Sequence, residues 1–194
     1  RVLRTNLEFM TGKDKTSNVI IVTSFNPGSG KSFLTMNIAV SFAIKEKKVL
    51  VIDGDLRQGS ASSYIDSPAK GLSDYLGGRI DNLNEIIVSD PKQKSMDILP
   101  VGTIPPNPTE LLFDERLKQV IDTVRGQYDY VLIDCPPIEL VADTQIIEKL
   151  ADRSIFVVRA GLLERSMLRI PLRLSLWLSL RLRLGLPLRL RRKT

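Results

Sequence analysis

The chain is poor in several things, and each shortage narrows what it is. It holds a single cysteine, Cys135, in 194 residues, so no internal disulfide forms and a reducing compartment fits best. No apolar run is long enough to span a membrane, and the opening "RVLRTNLEF" does not have the make-up of a secretion signal. An initiating methionine is missing, which fits a fragment of something longer. Residues 168–194 carry no acid, only seven arginines and one lysine; the rest holds 20 basic and 22 acidic groups out of totals of 28 and 22. The net charge of +6 therefore belongs to the tail, and no nucleic-acid partner is expected. What remains is ordinary globular composition, 43% hydrophobic and 26% charged, with enough chain for one domain and a real core.

Short apolar runs alternate with longer mixed segments. "VIIVTS" (19–24), "KVLVID" (48–53), "YVLIDC" (130–135) and "SIFVVRA" (154–160) read as buried strands, with "MDILPV" (96–101) a weaker one. They are β-branched and apolar on both faces, as parallel strands in a covered sheet are. Helical spacing is found over 32–45, over 108–124 and over 144–150. This alternation predicts an α/β fold, a doubly wound and mostly parallel sheet flanked by helices. The polar, turn-rich segment 58–71 is expected to be an exposed loop.

The tail differs in kind. From Leu168 to Leu190 every even position is Leu or Ile, with Pro171 and Pro187 inside the run. A strand of that length with internal prolines is not expected, and as a helix the leucines would spread around the whole barrel. One reading is a membrane-surface or polyanion-binding tail. The composition favours the other, that 168–194 is not native sequence, and the domain is placed at 1–167.

"SFNPGSGKSF" (24–33) ends as a phosphate-binding loop does, although Phe25 stands where the pattern G-x-x-x-x-G-K-[ST] has its first glycine. Such a loop needs converging backbone N–H groups, a lysine for the β and γ phosphates and a hydroxyl for magnesium. Gly28 and Gly30, Lys31 and Ser32 supply these, and the residues from Pro27 through Ser29 to Phe33 form the expected nucleotide-binding segment. A strand before and a helix after complete the required context.

Three carboxylates add chemistry. "VLVIDGDLR" (49–57) brings Asp53, Asp55 and Arg57 to the end of one strand, and "YVLIDCPP" (130–137) brings Asp134 to the end of another. Ligands bind outside the carboxyl ends of strands in such sheets. Ser32, Asp55 and Asp134 are expected to serve Mg²⁺, directly or through water. Asp53 is then free to accept the proton of an attacking hydroxyl, and Arg57 to bind phosphate or pair with a carboxylate.

These motifs resemble the cytoplasmic kinase domain of the bacterial tyrosine kinases (BY-kinases) of capsular and exopolysaccharide synthesis, P-loop proteins related to the MinD and ParA ATPases. "SFNPGSGKS" looks like the family's Walker A, "VIDGDLR" its Walker A′ and "VLIDCPP" its Walker B; "GLSDYLGG" (71–78) and "LPVGTIPPNPTELL" (99–112) are also similar. "RVLRTN" (1–6) looks like the end of an E-x-x-R-x-x-R motif, with Arg1 and Arg4 as its arginines, which supports ring-like self-association in the family. The resemblance implies ATP and Mg²⁺ as cofactors and tyrosine on a neighbouring copy as acceptor. Asp53 becomes the base, with Asp55 and Asp134 on magnesium. It also implies a membrane polysaccharide co-polymerase as partner, fused or separate, and a place at the inner, cytoplasmic face of the bacterial plasma membrane.

The chain departs from the family at its end, where 168–194 hold no tyrosine. Tyr128 and Tyr130 flank a strand and read as structural, which leaves Tyr64 as the local acceptor candidate. Two rivals remain: a MinD/ParA-like ATPase switch, and a non-catalytic nucleotide-binding partner of a membrane protein. Asn26 stands where the ATPase branch has its signature lysine, which argues against the first.

Overall fold

A computed structural model describes residues 2–10, 18–113, 115–138 and 143–162. Arg1 and the whole tail 168–194 lie outside them. Six strands form one sheet in the order β3-β4-β2-β5-β1-β6. They are β1 (Asn18–Ser24), β2 (Val49–Asp53), β3 (Val88–Ser89), β4 (Met96–Leu99), β5 (Tyr130–Asp134) and β6 (Arg153–Val157). Every pairing is parallel except that of β3 with β4. The two-residue β3 gives that edge little backbone to offer a stray strand.

The strands are apolar throughout because both faces are covered. Val19, Ile21, Leu50 and Ile52 join one core layer, while Ile20, Val22, Val49 and Val51 join the other. Helices α3 (Leu72–Leu76), α5 (Glu115–Arg125) and α6 (Asp143–Glu148) close the first layer with Leu72, Leu76, Leu117, Val120, Ile121, Val124 and Ile147. Helices α1 (Val2–Met10) and α2 (Lys31–Ala43) close the second with Leu7, Met36, Ile38, Ala39 and Phe42. The Phe42 ring stacks on Tyr130, centroids 3.8 Å apart. Each such buried side chain contributes about 1.5–3 kcal/mol of hydrophobic stabilisation.

The predicted helix over 108–124 is two helices, α4 (Pro108–Phe113) and α5. Leu112 and Leu117 are both buried but five residues apart, off the three-or-four spacing of one helical face, and Phe113 between them is 66% exposed. The predicted loop 58–71 holds a short 3₁₀ turn, Ser62–Ile65. Among the described residues no helix is long and apolar enough to cross a membrane.

Candidate nucleotide and phosphoryl-transfer site

Register builds the site. β2 and β5 pair so that Asp53 lies opposite Asp134 at the C-terminal ends of both strands. β1, on the other side of β5, ends at Ser24 and runs into the phosphate loop. Both aspartates are fully buried, Asp55 is 2% exposed, and Lys31 is 8% exposed.

Gly30 caps α2 in the left-handed region, with φ 87° and ψ 19°, and Gly28 has φ 71°. Side chains other than glycine resist that backbone, so the loop uses glycine at the two places where it bends toward the helix. Phe25 is different. The non-glycine residues with positive φ among those described are Glu46, Asp66 and Ser67, so Phe25 sits in ordinary backbone, 7% exposed, and needs no glycine. The loop is fastened by its own polar atoms: Ser24 and Ser29 each donate a hydroxyl hydrogen bond to the Asn26 carbonyl at 2.8 Å. Arg159, just beyond β6, donates to the Gly28 carbonyl at 3.0 Å. Pro27, Gly28, Gly30, Lys31 and Ser32 form one wall of a cleft of about 440 Å³. Gln58, Ser60, Ser63 and Tyr64 form another. Phe33 also lines the cleft but is 66% exposed.

The Lys31 ammonium lies 3.4 Å from Asp55 Oδ2, 3.6 Å from Asp134 Oδ1 and 3.4 Å from the Ser32 hydroxyl. Asp55 Oδ1 and both carboxylate oxygens of Asp134 are buried without a hydrogen bond of good geometry, while the Ser32 hydroxyl and Lys31 ammonium lie close enough to Asp134 to favour its charged form. Buried carboxylate oxygens without donors are costly unless a cation serves them, so this set fits a hard divalent ion. Among the described residues no three acidic, Cys or His side chains form a complete cage. Magnesium keeps several waters and takes few protein ligands, so a site for it needs no such cage. Burial pushes the Asp134 carboxyl above its ordinary value, against the pull of the Lys31 charge.

Asp53 is held differently. Its Oδ2 accepts the backbone N–H and the hydroxyl of Ser62, both at 2.7 Å, and its Oδ1 accepts the Asp55 N–H at 3.3 Å. Burial raises its pKa from 3.8 to about 6, the Ser62 hydrogen bonds pulling it back and the Asp134 charge adding to the rise. Arg57 turns to a fourth carboxylate that sequence reasoning did not single out. Its Nε meets Asp143 Oδ2 at 3.2 Å and its Nη2 donates to Thr109 Oγ1 at 2.9 Å; Thr109 in turn donates to Asp143 Oδ1 at 2.6 Å. Ser62 and Asp143 carry no local motif, and Thr109 lies in the quoted segment 99–112 without a role assigned to it, because these roles come from elements far apart in the chain. Arg4 packs within the chain, donating to the Ser41 carbonyl at 3.1 Å and pairing with Glu8 at 3.5 Å.

Comparison with known proteins gives the family and the fold. A family model described as an AAA domain matches residues 17–163. The tyrosine-protein kinase YwqD of Bacillus subtilis is 39% identical over 166 residues, covering 85% of this chain and 69% of that protein. The tyrosine-protein kinase etk of Escherichia coli K12 is 37% identical over 163 residues, covering 84% of this chain and 22% of that protein. The chain thus spans about a fifth of such longer relatives. The solved kinase domain of Escherichia coli ETK superposes with a TM-score of 0.83 at 34% identity, over 89% of this chain and 67% of that one. MinD of Pyrococcus horikoshii, solved with Mg-ADP, gives 0.63 at 28% identity, over 73% of this chain and 58% of that one. The chain belongs to the bacterial tyrosine kinase family, on an AAA-type P-loop domain.

Proposed function

We propose that this chain is the ATP-binding catalytic domain of a protein-tyrosine kinase that phosphorylates neighbouring copies of itself and so regulates capsular or exopolysaccharide synthesis and export. The observation that carries the reading is the meeting of Lys31, Asp53, Asp55 and Asp134 at the ends of α2, β2 and β5, in a chain 39% identical to a protein named a tyrosine-protein kinase. The backbone from Pro27 to Phe33 binds the ATP phosphates, and Lys31 supplies positive charge to the β and γ groups. Ser32, Asp55 and Asp134 hold Mg²⁺, which neutralises charge on the transferring phosphoryl group. The tyrosyl oxygen attacks the γ phosphorus, the bond to the bridging oxygen breaks, ADP leaves, and the tyrosyl proton passes to Asp53. A carboxylate raised toward neutrality by burial is a suitable base. Arg57, braced by Asp143 and Thr109, adds charge at the edge of the site. Tyr64, half exposed on the cleft wall, is the local acceptor, reached from a neighbouring copy.

The same reading places self-association on the Arg1 and Arg4 segment, a membrane polysaccharide co-polymerase as partner, and the domain at the inner face of the bacterial plasma membrane. The test is transfer of phosphate from Mg-ATP to a Glu/Tyr copolymer. Transfer is expected from the parent and is expected to be lost in Lys31→Met and Asp53→Ala; transfer that survives Asp53→Ala unchanged overturns the assigned base. The likeness to MinD favours a second reading, an ATPase switch, which Mg-ATP hydrolysis without any tyrosine labelling would support.

A further inference from the structure

The sheet has two ends, and the nucleotide cleft uses one of them. A second cleft, of about 450 Å³, opens at the other, where β2, β4 and β5 begin. Lys48, Lys94, Ser95, Asp97, Gln127 and Tyr128 line it. It is as large as the nucleotide cleft, so a bare anion fills only a small part of it. Its rim carries the ammonium groups of Lys48 and Lys94, and neither has an ion-pair partner among the described residues. Both stand on pinned backbone. The Lys48 N–H donates to Asp129 Oδ2 at 2.9 Å, and the Lys48 carbonyl accepts the Asp129 N–H at 2.9 Å. In the loop that bears Lys94, Asp90 Oδ1 accepts the N–H groups of Lys92 and Gln93 at 2.7 and 3.0 Å, and the Ser95 carbonyl accepts the Val49 N–H at 2.9 Å.

The floor is of another kind. Tyr128 donates its hydroxyl to Asp97 Oδ2 at 2.8 Å, and Ser89 donates to Asp97 Oδ1 at 2.7 Å. Burial, and then the Asp97 hydrogen bond, hold the phenol in its neutral, donating form. A carboxylate can accept about four hydrogen bonds, so Asp97 keeps acceptor capacity, and the phenolic oxygen can accept as well. Two lysines against one carboxylate leave the cleft net positive. Its occupant therefore brings an anion for the lysines and hydroxyl donors for Asp97 and Tyr128, and a sugar phosphate has both on one body. We propose that this cleft is a second ligand site, which takes a sugar phosphate with its phosphate on Lys48 and Lys94 and its hydroxyls on Asp97 and Tyr128. The proposal does not depend on the kinase reading. β2 and β5 have five residues each, so their two ends stand roughly 15 Å apart and both clefts fill at once.

The test titrates the full chain with glucose 1-phosphate and with glucose 6-phosphate, followed by ligand-observed NMR, with inorganic phosphate as the bare anion. At least one of the two sugar phosphates is expected to bind saturably, at least about tenfold more tightly than inorganic phosphate, and with the same affinity in saturating Mg-ADP. The double variant Lys48→Gln, Lys94→Gln removes two exposed charges; it is expected to lower that affinity at least about tenfold and to leave urea unfolding unchanged. Tyr128→Phe keeps the ring and removes the hydroxyl, so it should weaken the sugar phosphate several-fold and leave inorganic phosphate as it was. Equal affinity for inorganic phosphate overturns the ligand class. Displacement by Mg-ADP, or binding that survives the double variant, puts the ligand elsewhere and overturns the site. No binding of either sugar phosphate overturns both.

Discussion

Ser62 donates twice to one oxygen of Asp53, from its backbone N–H and from its hydroxyl, each at 2.7 Å. The same hydroxyl accepts the Val101 N–H at 2.9 Å. Ser62 thus ties the assigned base to the segment after β4 and fixes the direction in which Asp53 offers its other oxygen. Ser62→Ala removes one bond to Asp53 and leaves the buried Val101 N–H unserved. We expect kcat to fall roughly 10- to 100-fold with the ATP KM little changed, because phosphate binding lies on the other wall of the cleft. Unfolding free energy should fall by about 1–3 kcal/mol, read by urea titration.

Asp53 is expected to cost stability in the metal-free protein. Its folded pKa is raised, from 3.8 to about 6, so the folded state holds the proton more tightly than the unfolded chain does. The associated stability is present below the unfolded value and is lost as pH rises from about 4 through about 6. Two units correspond to about 3 kcal/mol. Asp53→Asn keeps an acceptor for Ser62 and removes the charge, so above pH 6 in EDTA it should be more stable than the parent while being inactive. Equal stabilities at pH 5 and at pH 7.5 would contradict this.

Asp74 behaves in the opposite way. Burial pushes its carboxyl up, but the Thr103 and Gly71 N–H groups and the Arg79 guanidinium outweigh it, and its pKa lies below the ordinary 3.8. Its Oδ2 accepts Gly71 N at 2.9 Å and Thr103 N at 3.2 Å, and its Oδ1 meets Arg79 Nη2 at 2.8 Å. Its stabilisation is present above the unfolded value and is lost as pH falls through the lower folded value. Asp74→Ala should destabilise by roughly 3 kcal/mol at pH 7 and by less once acid protonates the carboxyl, measured by urea unfolding across the acid range.

Gly30 gives a conformational test. A Cβ built there meets nothing within 4 Å, while φ is +87°. Gly30→Ala should therefore cost only backbone strain, about 1–2 kcal/mol, with Gly30→Asn costing less because Asn tolerates the left-handed region. Similar melting shifts for both variants would show that space, and not φ, decides the residue.

The sheet was legible because each central strand is apolar on both faces. β1, β2 and β5 fall within a residue or so of their sequence-based ranges, and Asp53 and Asp134 end their strands as read. The edges were less so: β3 has two residues and no periodicity, and α3 has five. The phosphate loop carries its own signal in Gly28, Gly30 and Lys31. The partners that aim the site do not. Ser62 looks like turn filler, and Asp143 looks like an ordinary first-turn acid of α6, until folding sets one against Asp53 and the other against Arg57. The pairing of Lys31 with Asp55 and Asp134 was hidden for the same reason, since the three groups come from three elements.

The most direct measurement of the central claim is phosphoamino-acid analysis of the parent chain after incubation with Mg-ATP labelled at the γ phosphate. The account predicts labelled phosphotyrosine, with Tyr64 among the modified sites by mass spectrometry and no label in Asp53→Ala. Release of phosphate with no phosphotyrosine anywhere on the chain would contradict it.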